Sequence, residues 1–458
     1  MVFSVLFMPD RIVENIAGFA AGEVRLSDDV VREVKRRVVD SIGCFLGAWD
    51  EELVKRARMA AVGYASGAGP STLWLGGERT TPDWAAFVNG AGVRALDFND
   101  TYLSKEPLHP SDIIPAVVAA GEAVSASGWD VVEALAVGYE VGCRLCDAAS
   151  LRKRGWDHVN FTMVGAVAAV GRLLGLGERE LGNALAMAVV PHVAMRQTRV
   201  GELSMWKGAA AADACRQAVY ACMLAEKGVT GPAQPFEGEM GFFNQVSGPF
   251  TLERFTERPE MILKTYIKFH PVEYHAMTAV DAVLKLRGRV GKVEDVAKIV
   301  VETFEAGYTI LAKHPEKWRP TTRETADHSL PYIVAATFLD NGVWLDSFSP
   351  ARIAAEDIRN LIHRVEVVEN PALTARYPEE LPNMVRVILR DGREFSVEES
   401  LPRGHYKNPM SDGEVEAKFK KLASRRLSEE KMSAVLDAVW RLDKLSDIRE
   451  LTELVRMG

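Results

Sequence analysis

The hydrophobic positions in the first 260 residues recur at the spacing of α-helices. In LSDDVVREVKRRVVDSIGCFLGA, Ser27 stands where a helix N-cap is expected, and acidic residues follow it in the first turn. The apolar positions on one face of this helix are Val30, Val34, Val38 and Ile42. The pattern predicts a helix that begins directly after Ser27.

Two further segments read as helices that are apolar on more than one face. SGWDVVEALAVGYEVGCRLCDAAS carries Asp130 and Glu133 at the spacing of a capping box. MWKGAAAADACRQAVYACMLAEKG is rich in alanine, the strongest helix former, and Gly228 marks its C-terminal end. Helices of this kind are typical of the centre of a large bundle.

Near residue 260 the pattern changes to that of a mixed domain. VEDVAKIVVETFEAGYTI and HRVEVVEN alternate apolar and polar residues as strands do. NMVRVILRDGREFSVEES does the same around Asp391-Gly392, a hairpin signal. HSLPYIVAATFLDNG reads as an apolar helix between the strands, and the chain is helical again after LPRGHYKNPMSDGEVEAKFKKLA.

The predicted fold is therefore mainly α with a smaller α/β domain. We expect a large all-helical domain from residues 1–264 plus 401–458 and a small α/β domain from residues 265–400. The last helices are expected to return to the first domain, because no long linker or repeat separates the segments.

Composition limits the class of function. The chain has 458 residues, of which 48% are hydrophobic and 26% charged, so it can bury a large core in two or three domains. The net charge of -8 argues against nucleic-acid binding, which needs a basic face. It leaves room for an acidic small molecule, since a local basic pocket can exist in an acidic protein.

The cysteines and the chain start indicate a cytoplasmic protein without a cofactor. The five cysteines are scattered, which does not fit a disulfide framework or an iron–sulfur site. Cys143 and Cys146 lie in a predicted helix and are interpreted as core residues. MVFSVLFMPDRIV has no basic n-region or cleavage site, and no apolar run has the length of a membrane span. No phosphate-binding loop, dinucleotide fingerprint or nucleophile elbow is present.

Residues 95–112, ALDFNDTYLSKEPLHPSD, concentrate proton-handling groups between two apolar elements. Asp97 and Thr101 can be turn formers, with Ser111 as the N-cap of the next helix. The same residues can form a site, because a helix start attracts a carboxylate and His109, with a pKa near neutrality, can move a proton. The spacing does not fit a calcium loop.

Two other segments supply cations. In LRKRGWDHVNF, Lys153 and Arg154 are interpreted as an exposed helix end, while Asp157 and His158 either cap a helix or face a cleft. In RQTRVGELSMWKG, the two arginines share a face if helical, and Lys207 opposes the dipole of the helix it begins. That cost favours anion binding there, with arginines matched to carboxylates.

The histidines of KFHPVEYHAM do not form a metal pair. His270 and His275 are five residues apart, so they do not share a helix face, and a structural role is usual for either one. We predict no metal site.

Six segments, in order along nearly the whole chain, resemble those of the MmgE/PrpD family. They are LDFNDTYLSKEPLHPSD, RGWDHVNF, RQTRVGELSMWKGAAAADACR, GPAQPFEGEMGFF, FHPVEYHAMTAVDA and GHYKNPMSDGEVEAKF. The resemblance implies a large helical domain built from both chain ends, an inserted α/β domain, and a homodimer. Family members include 2-methylcitrate dehydratases, cis-aconitate decarboxylases and an iminodisuccinate epimerase, which handle small polycarboxylates without an iron–sulfur cluster.

The resemblance also implies site residues. Asp97, Thr101 and His109 match the polar positions of the first segment, and Lys207 and His158 match later ones. His275 matches the histidine of EYH, where the alignment between branches is looser. Within the family, the chain is most similar to the methylcitrate dehydratases, on the evidence of FNDT, HPSD and the glutamate of PVEYH. Many other members have an aspartate in place of Asn99.

We therefore expect a lyase that dehydrates 2-methylcitrate or a related tricarboxylate. His109 and His275 are the expected acid–base pair in either order, with Asp97 orienting one of them and Lys207 as a further catalytic residue. The expected substrate-binding residues are Thr101, Ser111, His158, Arg196 and Arg199. Decarboxylation of cis-aconitate and epimerisation remain alternatives, and a non-catalytic scaffold and a metal hydrolase are further ones. The expected partner is a small anionic polycarboxylate, without nucleic acid or membrane.

Overall fold

Helices from both ends of the chain share one hydrophobic core in the computed structural model, which describes residues 10–456 without the side chain of Ser66. The first segment of the chain, MVFSVLFMPDRIV, for which no signal peptide is predicted, lies largely outside the described residues. The mainly α fold with a smaller α/β part is confirmed. The helices before the small domain are α1 (Arg11–Ala21), α2 (Asp28–Ala48), α3 (Glu52–Ala65), α4 (Pro82–Ala95), α5 (Ile114–Val124), α6 (Gly128–Ala148), α7 (Val159–Leu173), α8 (Glu178–Val189) and α9 (Trp206–Glu226).

The predicted helix starts are largely confirmed. Ser27 caps α2 by accepting the N–H of Val30, and Gly228, with φ +84°, follows the end of α9. The capping box of α6 is formed by Ser127 and Asp130, so the predicted box of Asp130 with Glu133 is wrong. The helix begins one turn earlier, because the Ser127 hydroxyl rather than an acidic side chain accepts the N–H at the third helical position.

The helical part also holds a two-stranded sheet that the sequence analysis does not predict. Strand β1 (Ser66–Thr72) pairs antiparallel with β2 (Arg79–Thr80). β1 contains two glycines and a proline and lacks the alternation by which strands are recognised. The expectation of an all-helical large domain needs this correction.

The small α/β part is built on a four-stranded mixed sheet. Its strands are β3 (Val296–Thr303), β4 (Val365–Glu369), β5 (Asn383–Leu389) and β6 (Glu394–Glu399), in the order β4-β3-β5-β6. β3 is parallel to β4 and antiparallel to β5, and the predicted hairpin joins β5 to β6. Its helices are α10 (Met277–Val290), α11 (Glu305–Leu311), α12 (Arg323–Ala326), α13 (Leu330–Asp340), α14 (Pro350–Ile353), α15 (Glu356–Ile362) and α16 (Pro371–Thr374).

The alternation in VEDVAKIVVETFEAGYTI predicts a strand, but only about half of that segment forms one. It ends as a strand at Thr303, and the residues after Phe304 form α11. The periodicity of so short an apolar run does not separate strand from helix.

The chain returns to its first helices at the end, as expected. α17 (Asp412–Ala423) packs along α2, and α18 (Glu429–Trp440) and α19 (Arg449–Leu454) continue the same core. A second core joins the sheet with α10 and α13. The exact domain limits, 264/265 and 400/401, stay a prediction.

Two further expectations concern the cysteine side chains and the helices of residues 10–456. The five cysteines are buried and unpaired, which confirms the core interpretation of Cys143 and Cys146. Within this range no helix has both the length and the apolarity needed to cross a lipid bilayer.

Candidate active site

A cavity of about 250 Å³ lies where the loops between the large-domain helices meet the small α/β part. Seven lysine and arginine side chains line it against three carboxylates, although the whole chain carries a net charge of -8. The cations are Arg94, Arg152, Arg196, Arg199, Lys207, Lys268 and Lys317, and the carboxylates are Asp97, Glu273 and Glu316. The lining is thus suited to a ligand with several negative charges.

Asp97 is the centre of a buried charge cluster. The chain turns sharply after α4 with Asp97 at φ +50°, and its carboxylate accepts from Arg94 and from Lys268 Nζ at 2.9 Å. Lys207 Nζ is 3.4 Å from Asp97 Oδ1. Burial alone would raise the pKa of Asp97, but Arg94, Lys207 and Lys268 outweigh it and hold that pKa well below its usual range. Asp97 is therefore a permanent anion that orients cations.

The expectation that Asp97 orients His109 or His275 is wrong. The nearest histidine nitrogen to its carboxylate belongs to His328, with Nε2 4.0 Å from Oδ2. The Nδ1 of His109 bonds the carbonyl oxygen of Asp100, and the Nδ1 of His275 bonds the carboxylate of Glu273. Both rings are therefore held by residues of their own segments.

Lys207 presents an amine without a hydrogen-bond partner among residues 10–456. It lies in the first turn of α9, fully buried, with Asp97 and Asp327 oxygens at 3.4 and 3.9 Å. Burial lowers the pKa of this amine, and the two aspartates oppose that effect. A buried donor left unpaired costs free energy, so a ligand oxygen in the cavity would gain a strong contact there.

His109 is held as a neutral ring with one defined tautomer. Its Nδ1 is 2.7 Å from the carbonyl oxygen of Asp100 and 3.2 Å from Thr101 Oγ1. A carbonyl only accepts, so Nδ1 carries the proton and Nε2 is left as an acceptor. Burial, then the charges of Arg94 and Lys268, hold the pKa of His109 well below 6.5, which corrects the expected near-neutral pKa.

His158 lies beside His109, with ring centroids 5.7 Å apart. Its Nδ1 is 3.1 Å from Asp157 Oδ1, and its buried Nε2 has no partner in the described part of the chain. Burial and the charge of Arg199 lower the pKa of His158 to about 3. Arg199 lies 2.9 Å from Asp157 Oδ2 and keeps one unpartnered buried nitrogen.

His275 forms a dyad with Glu273. Its Nδ1 is 2.7 Å from Glu273 Oε1, and its backbone N–H donates to Oε2 at 2.8 Å. Burial raises the pKa of Glu273, but the contact with His275 outweighs it and brings the pKa to about 2. The ionised carboxylate therefore fixes the orientation of the His275 ring. His270 instead bonds Asp281 at 2.9 Å and does not line the cavity.

Eight of the nine predicted site residues line this one cavity, and Ser111 does not. Ser111 is buried, donates its N–H to Asp100 Oδ1 at 2.9 Å and accepts from Asn99 at 2.9 Å. It lies inside a 3₁₀ turn, Pro110–Ile113, rather than at an N-cap. The N–H of Ser111 is thus already bonded to Asp100, and the binding role of Ser111, which does not line the cavity, stays a prediction.

The sequence analysis missed several lining residues. Arg94, in the last turn of α4, stands three residues before Asp97, and this short separation was a signal for the ion pair that the two residues form. Lys268 is the first residue of KFHPVEYHAM, and its partner Asp97 lies 171 residues earlier in the chain. Asp327-His328 precedes the apolar helix α13 as Asp157-His158 precedes α7, and this repeated dipeptide was the available signal. Lys153 and Arg154 are exposed, as predicted.

Comparison with known proteins agrees with this architecture. The MmgE/PrpD N-terminal domain model matches residues 14–254, and the MmgE/PrpD C-terminal domain model matches residues 270–442. The chain is 28% identical to a cis-aconitate decarboxylase of Homo sapiens, over 94% of this chain and 91% of that protein. It is 29% identical to a 2-methylcitrate dehydratase of Cupriavidus necator, over 94% and 93%, and 29% identical to one of Escherichia coli, over 87% of each.

Proposed function

Because this chain belongs to the MmgE/PrpD family, we propose that it is a lyase that dehydrates 2-methylcitrate, or a related tricarboxylate, to 2-methyl-aconitate. The observation that carries the proposal is that one cation-lined cavity holds both a neutral, tautomer-fixed His109 and a Lys207 amine with no hydrogen-bond partner among the described residues. A base and a charge-stabilising group are what removal of a proton α to a carboxylate requires. Relatives of similar identity are named dehydratase and decarboxylase, so their names support lyase chemistry.

The elimination follows from the roles of three groups. His109 Nε2 takes the proton from the carbon next to a carboxylate, and negative charge develops on that carboxylate. Lys207 and Arg199 stabilise the charge, since each has a buried nitrogen without a hydrogen-bond partner in residues 10–456. The electron pair forms the carbon–carbon double bond as the C–O bond breaks. His275 delivers a proton to the departing hydroxyl, which leaves as water.

The assignment of base and acid rests on the partners of the two rings. The carbonyl of Asp100 fixes Nδ1–H of His109 and carries no full charge, so it gives the imidazolium little support. Glu273 instead places a full negative charge 2.7 Å from His275 Nδ1, so the His275 ring has a charged partner that the His109 ring lacks. This difference in partners is the reason for proposing His109 as the base and His275 as the acid.

We expect the acid limb of the pH profile to lie below pH 6.5. His109 must be neutral to accept a proton, so its protonation removes activity. Since its pKa is held well below 6.5, kcat/KM should not fall because of this group until the pH is below that value. A profile of kcat/KM at constant ionic strength measures this. An acid limb with its midpoint above pH 6.5 would contradict the role of His109.

Proton NMR in D2O tests the function. The protein is incubated separately with 2-methylcitrate, citrate and cis-aconitate. Loss of the methyl doublet of 2-methylcitrate and growth of a methyl singlet on a double bond, faster than the vinyl signal of aconitate grows from citrate, support the proposal. Deuterium exchange without a new compound would indicate an epimerase. Ligand-induced thermal stabilisation without turnover would indicate a binding protein.

Decarboxylation of cis-aconitate is the second candidate, favoured by the named human relative. It also passes through a carbanion-like centre next to a carboxylate, so the same cations and histidines serve it. Appearance of itaconate from cis-aconitate in the same NMR series, with no product from 2-methylcitrate, would replace the dehydratase proposal.

We further propose that the protein is a homodimer. The segment before α9 exposes Met195, Val200 and Met205, and Trp206, the first residue of α9, is exposed as well. A contiguous exposed apolar surface is typical of an interface. Sedimentation equilibrium is expected to give twice the mass of one chain, and Met195→Glu is expected to shift the equilibrium toward the monomer. A wild-type mass of one chain at micromolar concentration would contradict the dimer.

A further inference from the structure

Lys418 is a buried lysine outside the cavity, on α17 near the end of the chain. Only 4% of its side chain is exposed. It reaches between α2 and two loops that carry cavity residues, the loop after α4 and the loop around residue 268. A buried ammonium is costly, so its partners indicate what it does.

Three oxygen atoms surround the ammonium, which has three N–H donors. It donates to the carbonyl oxygens of Phe98 at 2.7 Å and Lys268 at 2.8 Å. Asp40 Oδ1, on α2, is 2.7 Å away, and the Phe98 ring centroid is 3.7 Å away. The charge is thus paired with one carboxylate, while two of the contacts fix backbone positions.

Those backbone positions adjoin the charge cluster. Phe98 directly follows Asp97, and Lys268 itself donates to Asp97 Oδ2 at 2.9 Å and to its carbonyl at 2.8 Å. The same two loops are joined further along by the paired N–H and C=O groups of Thr101 and Tyr266. Lys418 therefore holds the two loops together at the end away from Thr101 and Tyr266. Asp97 lies at that end and has a left-handed backbone conformation, which needs support from the surrounding residues.

We propose that Lys418 is a positioning residue that holds the Asp97–Lys268 ion pair in register for the reaction. It acts through the two carbonyls and touches neither substrate nor the reacting atoms. The inference extends the proposed function, since its kinetic consequence presupposes turnover, but its geometric consequence does not. Asp40 balances the charge of Lys418. Through Lys418, the C-terminal helix α17 supports the position of two loops of the cavity.

The test compares Lys418→Met with Lys35→Met. Lys35 also joins α2 to the C-terminal segment, through Asp443 at 2.6 Å, and its side chain is only 14% exposed, but it does not line the cavity. Crystal structures of both variants are expected to show Lys268 Nζ more than 4 Å from Asp97 Oδ2 in Lys418→Met only. The kcat of Lys418→Met should fall by roughly 10- to 100-fold, as for a misplaced catalytic group, and that of Lys35→Met by less than about twofold.

The double variant Asp40→Asn/Lys418→Met covers failure to fold, because it leaves no unpaired buried carboxylate. It should still show the lengthened ion pair and the lowered kcat. If it restores both to wild-type values, Lys418 only neutralises Asp40 and the proposal is wrong. An unchanged Lys268–Asp97 distance in Lys418→Met or in the double variant also overturns it. If the wild type turns over none of the tested acids, the proposed function fails, and the crystallographic distance still decides the role of Lys418.

Discussion

Replacing His109 by alanine is expected to lower kcat by about 10² to 10⁴-fold, the usual contribution of a positioned general base. The carbonyl of Asp100 fixes Nδ1–H and leaves Nε2 as the acceptor, and alanine supplies no group to take the proton. Because burial holds the pKa of His109 well below 6.5, the ring is neutral at pH 7 and can accept a proton. Initial rates with 2-methylcitrate, followed by product NMR, measure the effect.

His270→Ala is the matched control for this variant. His270 is also buried and bonded to an acceptor, Asp281, but it does not line the cavity. Its kcat is expected to stay within about threefold of the wild type. Tricarballylate, which has no hydroxyl to eliminate, should raise the melting temperature of His109→Ala as it does that of the wild type. Unchanged turnover in His109→Ala would remove His109 from the mechanism.

Much of the fold could be predicted because its signals are local. Ser27, the apolar stripe of α2 and the turn at Asp391-Gly392 depend on residues within a few positions of one another. The β1–β2 sheet was missed because its glycines and proline carry no alternation, and its pairing partner lies beyond a turn. The end of β3 was misplaced because α11 follows with equally apolar residues.

The sequence predicts those site residues that lie in polar segments recognisable by themselves. His158, Lys207 and His275 came from three separate segments and line one cavity. Their partners across segments could not be predicted, because the contact of Lys268 with Asp97 joins positions 171 residues apart. The depressed pKa of His109 is also a tertiary property, since burial is its largest cause.

Replacing Lys207 by methionine is expected to lower kcat/KM by about 10² to 10³-fold, the usual cost of removing one preorganised donor from a developing charge. Methionine keeps the length and the apolar volume of the side chain, so the buried start of α9 should remain packed. Arg94 and Lys268 still pair with Asp97, so its carboxylate does not become an isolated buried charge. Steady-state kinetics with 2-methylcitrate, together with the melting temperature, measure the change.

Lys227→Met is the matched control, because Lys227 lies at the opposite end of the same helix with 73% of its side chain exposed. Its kcat/KM should be unchanged. The division of the Lys207 effect between constants then identifies the role of the amine. A fall in kcat means that Lys207 stabilises charge that develops during proton removal, whereas a rise in KM alone means that it binds substrate and transition state equally. Wild-type values for both constants would show that the unpartnered amine takes no part, and the cavity would then have to stabilise the carboxylate through Arg199 and its neighbours alone.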